Sequence, residues 1–265
     1  MLRGIIGVIH LPAMPGDPAY REGGFAGVSD HALRDAEALA QGGVDGMIVE
    51  NFGSAPFAKS DLPAHQIATL TLVAERCKAR FGLPLGVNCL RNDARAALGI
   101  AAAAGLDFIR VNVHTGAYVT DQGVIEGEAA ATMRYRAALG ATGVKVLADV
   151  LVKHAAPLAP LSLEDAVRDC LFRGLADGVI VTGVATGAAI DRGRVEAVRA
   201  VIGEGEQLVV LGSGVNPTQA RSLAPLADAA IVGTWLKRDG QVHAPVDVER
   251  VRRLVAAVAP HLRKP

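Results

Sequence analysis

Eight times along the chain, a short apolar run gives way to a longer segment whose apolar residues recur at steps of three and four. The short runs lie at 4–11, 46–51, 85–90, 108–113, 145–150, 178–182, 208–213 and 229–234, and their length predicts strands. The longer segments predict helices near 30–41, 63–80, 93–104, 127–139, 162–173, 191–202, 216–224 and 246–260. In the last of these Val248, Val251, Leu254, Val255 and Val258 share one face. Strands that alternate with helices build a parallel sheet, and eight evenly spaced units predict a closed (β/α)8 or TIM barrel. A doubly wound open sheet is the alternative; the count of eight and the absence of an early GxGxxG weigh against it. The 265 residues match the size of one barrel, so the chain is read as one domain over 1–265.

Local signals agree with this alternation. Pro63 and Pro217 suit the first turn of a helix, where a missing amide proton costs nothing. Ser162 is placed to cap a helix opening with Leu163, Glu164 and Asp165. Gly42, Gly43, Gly105 and Gly174 stand where helices should stop. Two loops that follow strands are long and rich in glycine: 12–29 after the first strand and 114–126 after the fourth. Both would rise from the C-terminal face of the barrel and could cover a site there.

Composition removes several function classes. Lys plus Arg and Asp plus Glu are equal at 27 each, which gives no electrostatic reason to expect nucleic acid as partner. Aromatic residues are only 4 %, too few for a platform that stacks bases. Cys77, Cys89 and Cys170 are scattered and show no CxxC, which speaks against a disulfide framework or a zinc site and for a cytoplasmic location. The N-terminal run is interrupted by His10 and Pro12 and reads as a strand rather than a signal peptide. No run is long enough to predict a membrane span. An apolar fraction of 51 % leaves room for a homo-oligomer joined through a helix face.

Some strands carry polar residues where a barrel interior should be apolar. In 108–113, Ile109, Val111 and Val113 share one face, so Arg110 and Asn112 point inward. A buried Arg is costly unless a carboxylate pairs with it, and Glu50 and Asp149 end neighbouring strands. With His10 and Asn88 these residues predict a polar ring at the C-terminal end, the end that carries function in this fold. Arg91 is expected to face the mouth, and Asn92 or Asp93 to cap the third helix. Lys153 and His154 would supply a cation and a proton carrier above the ring. A Schiff-base aldolase is disfavoured, because no strand offers Lys at its C-terminal end: Lys145 starts its strand and Lys153 lies beyond one. Magnesium or manganese would suit Glu50, Asp149 and His10 better than zinc, although no ligand spacing demands a metal.

The last units predict an anion site. The seventh strand ends in Gly212-Ser213-Gly214 ahead of Asn216 and Pro217, and the eighth in Gly233-Thr234. Glycines let backbone amides approach an anion, and loops after the seventh and eighth strands bind phosphate in many barrels. Gly183 and Gly187, after the sixth strand, could complete the rim. Lys237 could neutralise an anion or be a surface lysine.

The segments GVIHLPAMPG, DGMIVENFG, GVNCLRND, FIRVNVHTGAYVTDQGVIEG, KVLADVLVKHAAPL and LGSGVNP resemble the BtpA/SgcQ family. The resemblance extends from about Gly4 to the last helix and is most specific between Phe108 and Gly127. It implies a phosphate-binding (β/α)8 barrel. Cyanobacterial members are linked to accumulation of photosystem I, and others are described as enzymes without an assigned reaction. The resemblance carries over no catalytic residue set. Two functions are therefore expected to compete. One is an enzyme using acid–base chemistry on a sugar phosphate or nucleotide-like metabolite, as isomerase, lyase or glycosyl- or phosphoribosyl-transferase. The other is a regulatory or assembly factor without catalysis.

Overall fold

The computed structural model describes residues 2–183 and 190–262. Its strands are β1 (Gly4–His10), β2 (Gly46–Glu50), β3 (Leu85–Asn88), β4 (Phe108–Val111), β5 (Ala117–Thr120), β6 (Gly123–Glu126), β7 (Lys145–Val150), β8 (Ala155–Pro157), β9 (Gly178–Thr182), β10 (Leu208–Gly212) and β11 (Ala229–Val232). The helices are α1 (Gly24–Gly42), α2 (Ala64–Phe81), α3 (Ala94–Ala104), α4 (Ala129–Ala138), α5 (Leu163–Arg168), α6 (Arg192–Ile202), α7 (Pro217–Leu223) and α8 (Val248–Val258). β1, β2, β3, β4, β7, β9, β10 and β11 close in that order into a parallel barrel, and every neighbouring pair runs parallel. The predicted barrel is the observed one.

Alternation along each strand divides the core. Ile9, Val49, Val87, Ile109, Val146 and Val179 pack outward beneath the helices. Ile6, Val8, Ile48, Phe108, Leu147, Ile180, Val210 and Ile231 fill the barrel centre. Phe108 needs the space that Gly86 leaves: a Cβ at Gly86 would lie 2.3 Å from the phenyl ring. Gly86→Ala is expected to cost about 1–3 kcal/mol through overpacking, read by chemical denaturation. One step of two residues further along, the inward positions change character. They become His10, Glu50, Asn88, Arg110, Asp149, Thr182, Gly212 and Gly233, in a register that pairs His10 with Glu50, Glu50 with Asn88 and Asn88 with Arg110.

Element boundaries moved in three places. α1 starts at Gly24, six residues before the expected start, with its first amide donating to the Tyr20 hydroxyl at 2.9 Å. Gly23, Gly24 and Gly27 hid that turn, because glycine is a poor helix former. The segment 114–126 is no open loop: β5 pairs antiparallel with both β6 and β8 in a small three-stranded sheet. Val113, Tyr118, Ile125 and Val152 form its separate core. The fifth helix is α-helical only to Arg168 and continues as a π turn through Arg173. Ser162 caps it as expected, its Oγ accepting from the Asp165 amide at 3.0 Å.

Candidate functional site at the C-terminal end of the barrel

The polar ring is a hydrogen-bonded network around one guanidinium. Arg110 donates from Nε and Nη2 to the two carboxylate oxygens of Asp149, both at 3.1 Å. Its Nη1 donates to Glu50 Oε1 at 3.3 Å. Asn112 adds a 2.6 Å bond to Asp149 Oδ2, and Asn88 a 3.2 Å bond to Glu50 Oε1. Burial alone would lower the proton affinity of Arg110, but the charges of Asp149 and Glu50 outweigh it and raise the pKa. Arg110 is therefore a fixed cation, and Asp149, with both oxygens occupied, holds it in place. Glu50 differs: its Oε2 is 3.9 Å from His10 Nε2, beyond hydrogen-bond reach, and Glu50 faces open space.

That space is a cavity of about 190 Å³. Such a volume is smaller than the roughly 300–1,000 Å³ of pockets for drug-sized ligands, and suits a small metabolite. One wall carries His10, Glu50, Phe52, Arg110 and Lys153; the other carries the segments 213–216 and 231–235. The cavity is left open where an inward position has no side chain, at Gly233. A Cβ at Gly233 would meet His10 Cε1 at 2.7 Å.

The second wall is made of main chain. Ser213 (φ 68°) and Gly214 (φ 70°) are consecutive left-handed residues. Among the described residues, the amides of Gly214, Val215, Asn216, Thr234 and Trp235 donate to no protein acceptor. Buried amides are normally paired, so a run of open donors in a cavity wall fits an acceptor-rich ligand.

His10 closes the cavity floor, its ring tilted on Phe52 at 4.7 Å between centroids. Its Nδ1 is buried without a partner. Burial first, then the charges of Lys237, Lys153 and His243, push its pKa down to about 3 against an opposing pull from Asp35. His10 is neutral around pH 7 and contributes hydrogen bonding there rather than charge.

The structure gathers some of the expected residues and separates others. His10, Glu50, Arg110, Lys153, Ser213, Gly214, Gly233 and Thr234 line the cavity. Asn88, Asn112 and Asp149 stand behind them and orient Glu50 and Arg110. Gly183 follows β9 and Gly212 ends β10, neither reaching the cavity surface, and Gly187 lies outside the described residues. His154 faces a different depression, beside Phe57, Arg91 and Asp121.

Two expectations are corrected. Arg91 does not face the mouth: it is buried, and its Nη2 donates to the Lys153 carbonyl at 3.0 Å. Lys237 is neither an anion's counter-charge nor a surface lysine. Only 1 % exposed, it is clamped on Asp35, which also accepts from the Val246 amide. Of the two residues expected to cap α3, Asp93 does so, and Asn92 bonds both main-chain groups of Val113. Phe52, Asn216, Trp235 and Val242 also line the cavity and were not expected. Asn216 and Trp235 adjoin the glycine motifs and could have been read from them; Phe52 and Val242 carry no local signal. Among the described residues, no three His, Cys, Asp or Glu side chains gather as a metal site. Arg110 beside Glu50 also opposes a divalent cation there.

Fold and site together define a (β/α)8 barrel with a polar cavity at the C-terminal ends of its strands. The chain belongs to the BtpA family, whose model matches residues 1–260. It is 47 % identical over 251 residues to an uncharacterized protein of Pyrococcus furiosus, covering 95 % of this chain and 93 % of that one. It is 43 % identical over 260 residues to the photosystem I biogenesis protein BtpA of Synechocystis sp., covering 98 % and 89 %. Among solved structures, orotidine 5'-phosphate decarboxylase from Pyrococcus horikoshii superposes with a TM-score of 0.58 at 15 % identity, covering 96 % and 99 %. At that identity the likeness concerns the fold. Among the described residues, no helix is long and apolar enough to cross a membrane.

Proposed function

We propose that the barrel binds a small phosphorylated metabolite and is an enzyme that moves a proton on it. The observation that carries this reading is the run of unpaired amides at 214–216 and 234–235, opposite Glu50 across one cavity. A phosphate there receives several main-chain hydrogen bonds, at loops where many barrels of this architecture bind phosphate. The rest of the molecule then extends toward Glu50 and Arg110. Glu50 Oε2 is the uncommitted carboxylate oxygen of the network and serves as general acid or base. Arg110 stabilises negative charge that develops on the substrate. Isomerases and lyases that act next to a carbonyl begin with such a proton transfer.

An assembly role, which the name of the Synechocystis relative carries, requires a partner surface. The investment of this fold in an internal charged network facing a cavity favours a small ligand.

Titration calorimetry tests the reading. Inorganic phosphate and sugar phosphates are expected to bind, the sugar phosphates more tightly. Gly233→Val puts a side chain into the cavity and should weaken both at least about tenfold, roughly 1.4 kcal/mol. Wild-type protein that binds neither at millimolar concentration would refute the phosphate assignment.

A further inference from the structure

We propose that the amine of Lys153 forms an imine with the carbonyl of a phosphorylated aldehyde or ketone held in the cavity. This deepens the phosphate reading and rests on it.

Lys237 is buried and Lys153 is half-buried in the cavity wall, and their surroundings differ. Lys237 is locked to a carboxylate, Asp35. Lys153 lines the cavity, and its Nζ donates to a neutral group, Ser213 Oγ, at 3.0 Å. Among the described residues it forms no ion pair. An ammonium half-withdrawn from water without an ion-pair partner is disfavoured, and the neutral amine is the nucleophilic form. The charges around it divide, and burial decides the direction. Burial is the largest influence lowering its pKa, Arg110 is next and Arg91 adds to it, against a pull from Glu50 and Asp149.

The backbone is shaped to deliver this side chain. Leu151 (φ 47°) and His154 (φ 58°) bracket it in left-handed conformations that L-residues rarely adopt. Strain of this kind gathers where a structure must hold a particular side chain. The buried Arg91 fixes the Lys153 carbonyl at 3.0 Å. The two neighbours part: Lys153 enters the cavity and His154 faces the depression beside Asp121. The position of Lys153 beyond the strand end thus does not keep its amine from the site.

The chemistry balances with groups in the cavity. The amine lone pair attacks the carbonyl carbon, a C–N bond forms, and the carbonyl oxygen takes a proton to give a carbinolamine. A second proton reaches that oxygen, through Glu50, and it leaves as water. The first proton comes from the attacking nitrogen and the second from the Glu50 carboxyl, so the net change is carbonyl, amine and one proton to cationic imine and water, leaving Glu50 as carboxylate. The cationic imine then withdraws electrons from the neighbouring carbon, where Glu50 as base can remove a proton.

The probe is glycolaldehyde phosphate, with sodium borohydride added to deliver hydride to the imine carbon and fix the adduct as a secondary amine. Peptide mass spectrometry locates it. The expected result is labelling of Lys153 at least tenfold above exposed Lys59 and ion-paired Lys78, suppressed by excess inorganic phosphate. Unphosphorylated glycolaldehyde should label Lys153 at least tenfold less. Lys153→Arg should lose the label, since a guanidinium forms no imine under these conditions. Labelling spread over Lys59, Lys78 and Lys145 with no preference for Lys153, in protein that binds phosphate, overturns the imine and leaves the phosphate reading standing. Protein that binds no phosphate overturns both.

Discussion

Arg110→Met is expected to lower the stability of the barrel by about 3–5 kcal/mol, measured by urea unfolding near neutral pH. The side chain is 6 % exposed and makes three of its bonds to Asp149 and Glu50, which are themselves buried. Removing the cation leaves two buried carboxylates without their counter-charge, and the cost comes from these orphaned charges more than from the lost attraction. A triple variant that also carries Glu50→Gln and Asp149→Asn should recover a large part of the loss, because the uncompensated charge is then gone. A single-variant loss under about 1 kcal/mol would mean that the three groups do not depend on each other for solvation. Ligand binding should disappear in both variants. The network therefore links fold and function: the residue that makes the interior electrostatically tolerable is also the cation offered to the ligand.

The second large effect is expected in acid. With a pKa of about 3 in the folded chain, His10 stays neutral where the unfolded chain, with the ordinary value of 6.5, takes up a proton. Between those values the unfolded state binds more protons, so stability falls as pH drops through the window and is intact above it. From about pH 7 to about pH 4, His10 alone should cost about 3 kcal/mol. His31 and His114 are shifted in the same direction, chiefly by burial, so the measurement must be a difference. His10→Gln should flatten the acid limb of unfolding free energy by that amount relative to wild type. Equal acid limbs in the two proteins would show that His10 is protonated in the fold. The same neutrality sets the character of the cavity: the ring beside Gly233 offers a hydrogen bond, and the cavity's positive charge comes from Arg110.

How far the site could be read from sequence depended on distance along the chain. Periods of two within strands and near 3.6 within helices act over a few residues, and they placed all eight barrel strands. The inward direction of Arg110 followed from Ile109 and Val111 pointing outward. Its carboxylate partners followed from charge neutrality in a buried layer. Where the sequence misled, the deciding neighbour was remote. β5 and β8 pair across some forty residues, so 114–126 looked like a loop. Lys237 found Asp35 two hundred positions away and left the ligand site. Arg91 turned inward to the carbonyl of Lys153.

The sequence by itself determined the barrel, the polar layer at its C-terminal end and the glycine-bearing ends of the last two strands. These are properties of local pattern, and each strand reports its own inward residues. Tertiary structure alone decided which of those residues meet a ligand. Closure put Asp149 behind Arg110 and Glu50 in front, left the amides of 214–216 and 234–235 without partners, and brought Lys153 back over the cavity while sending His154 away. The physical reason is that burial and pairing depend on what the closed barrel places opposite each group, and no local window of sequence contains that neighbour.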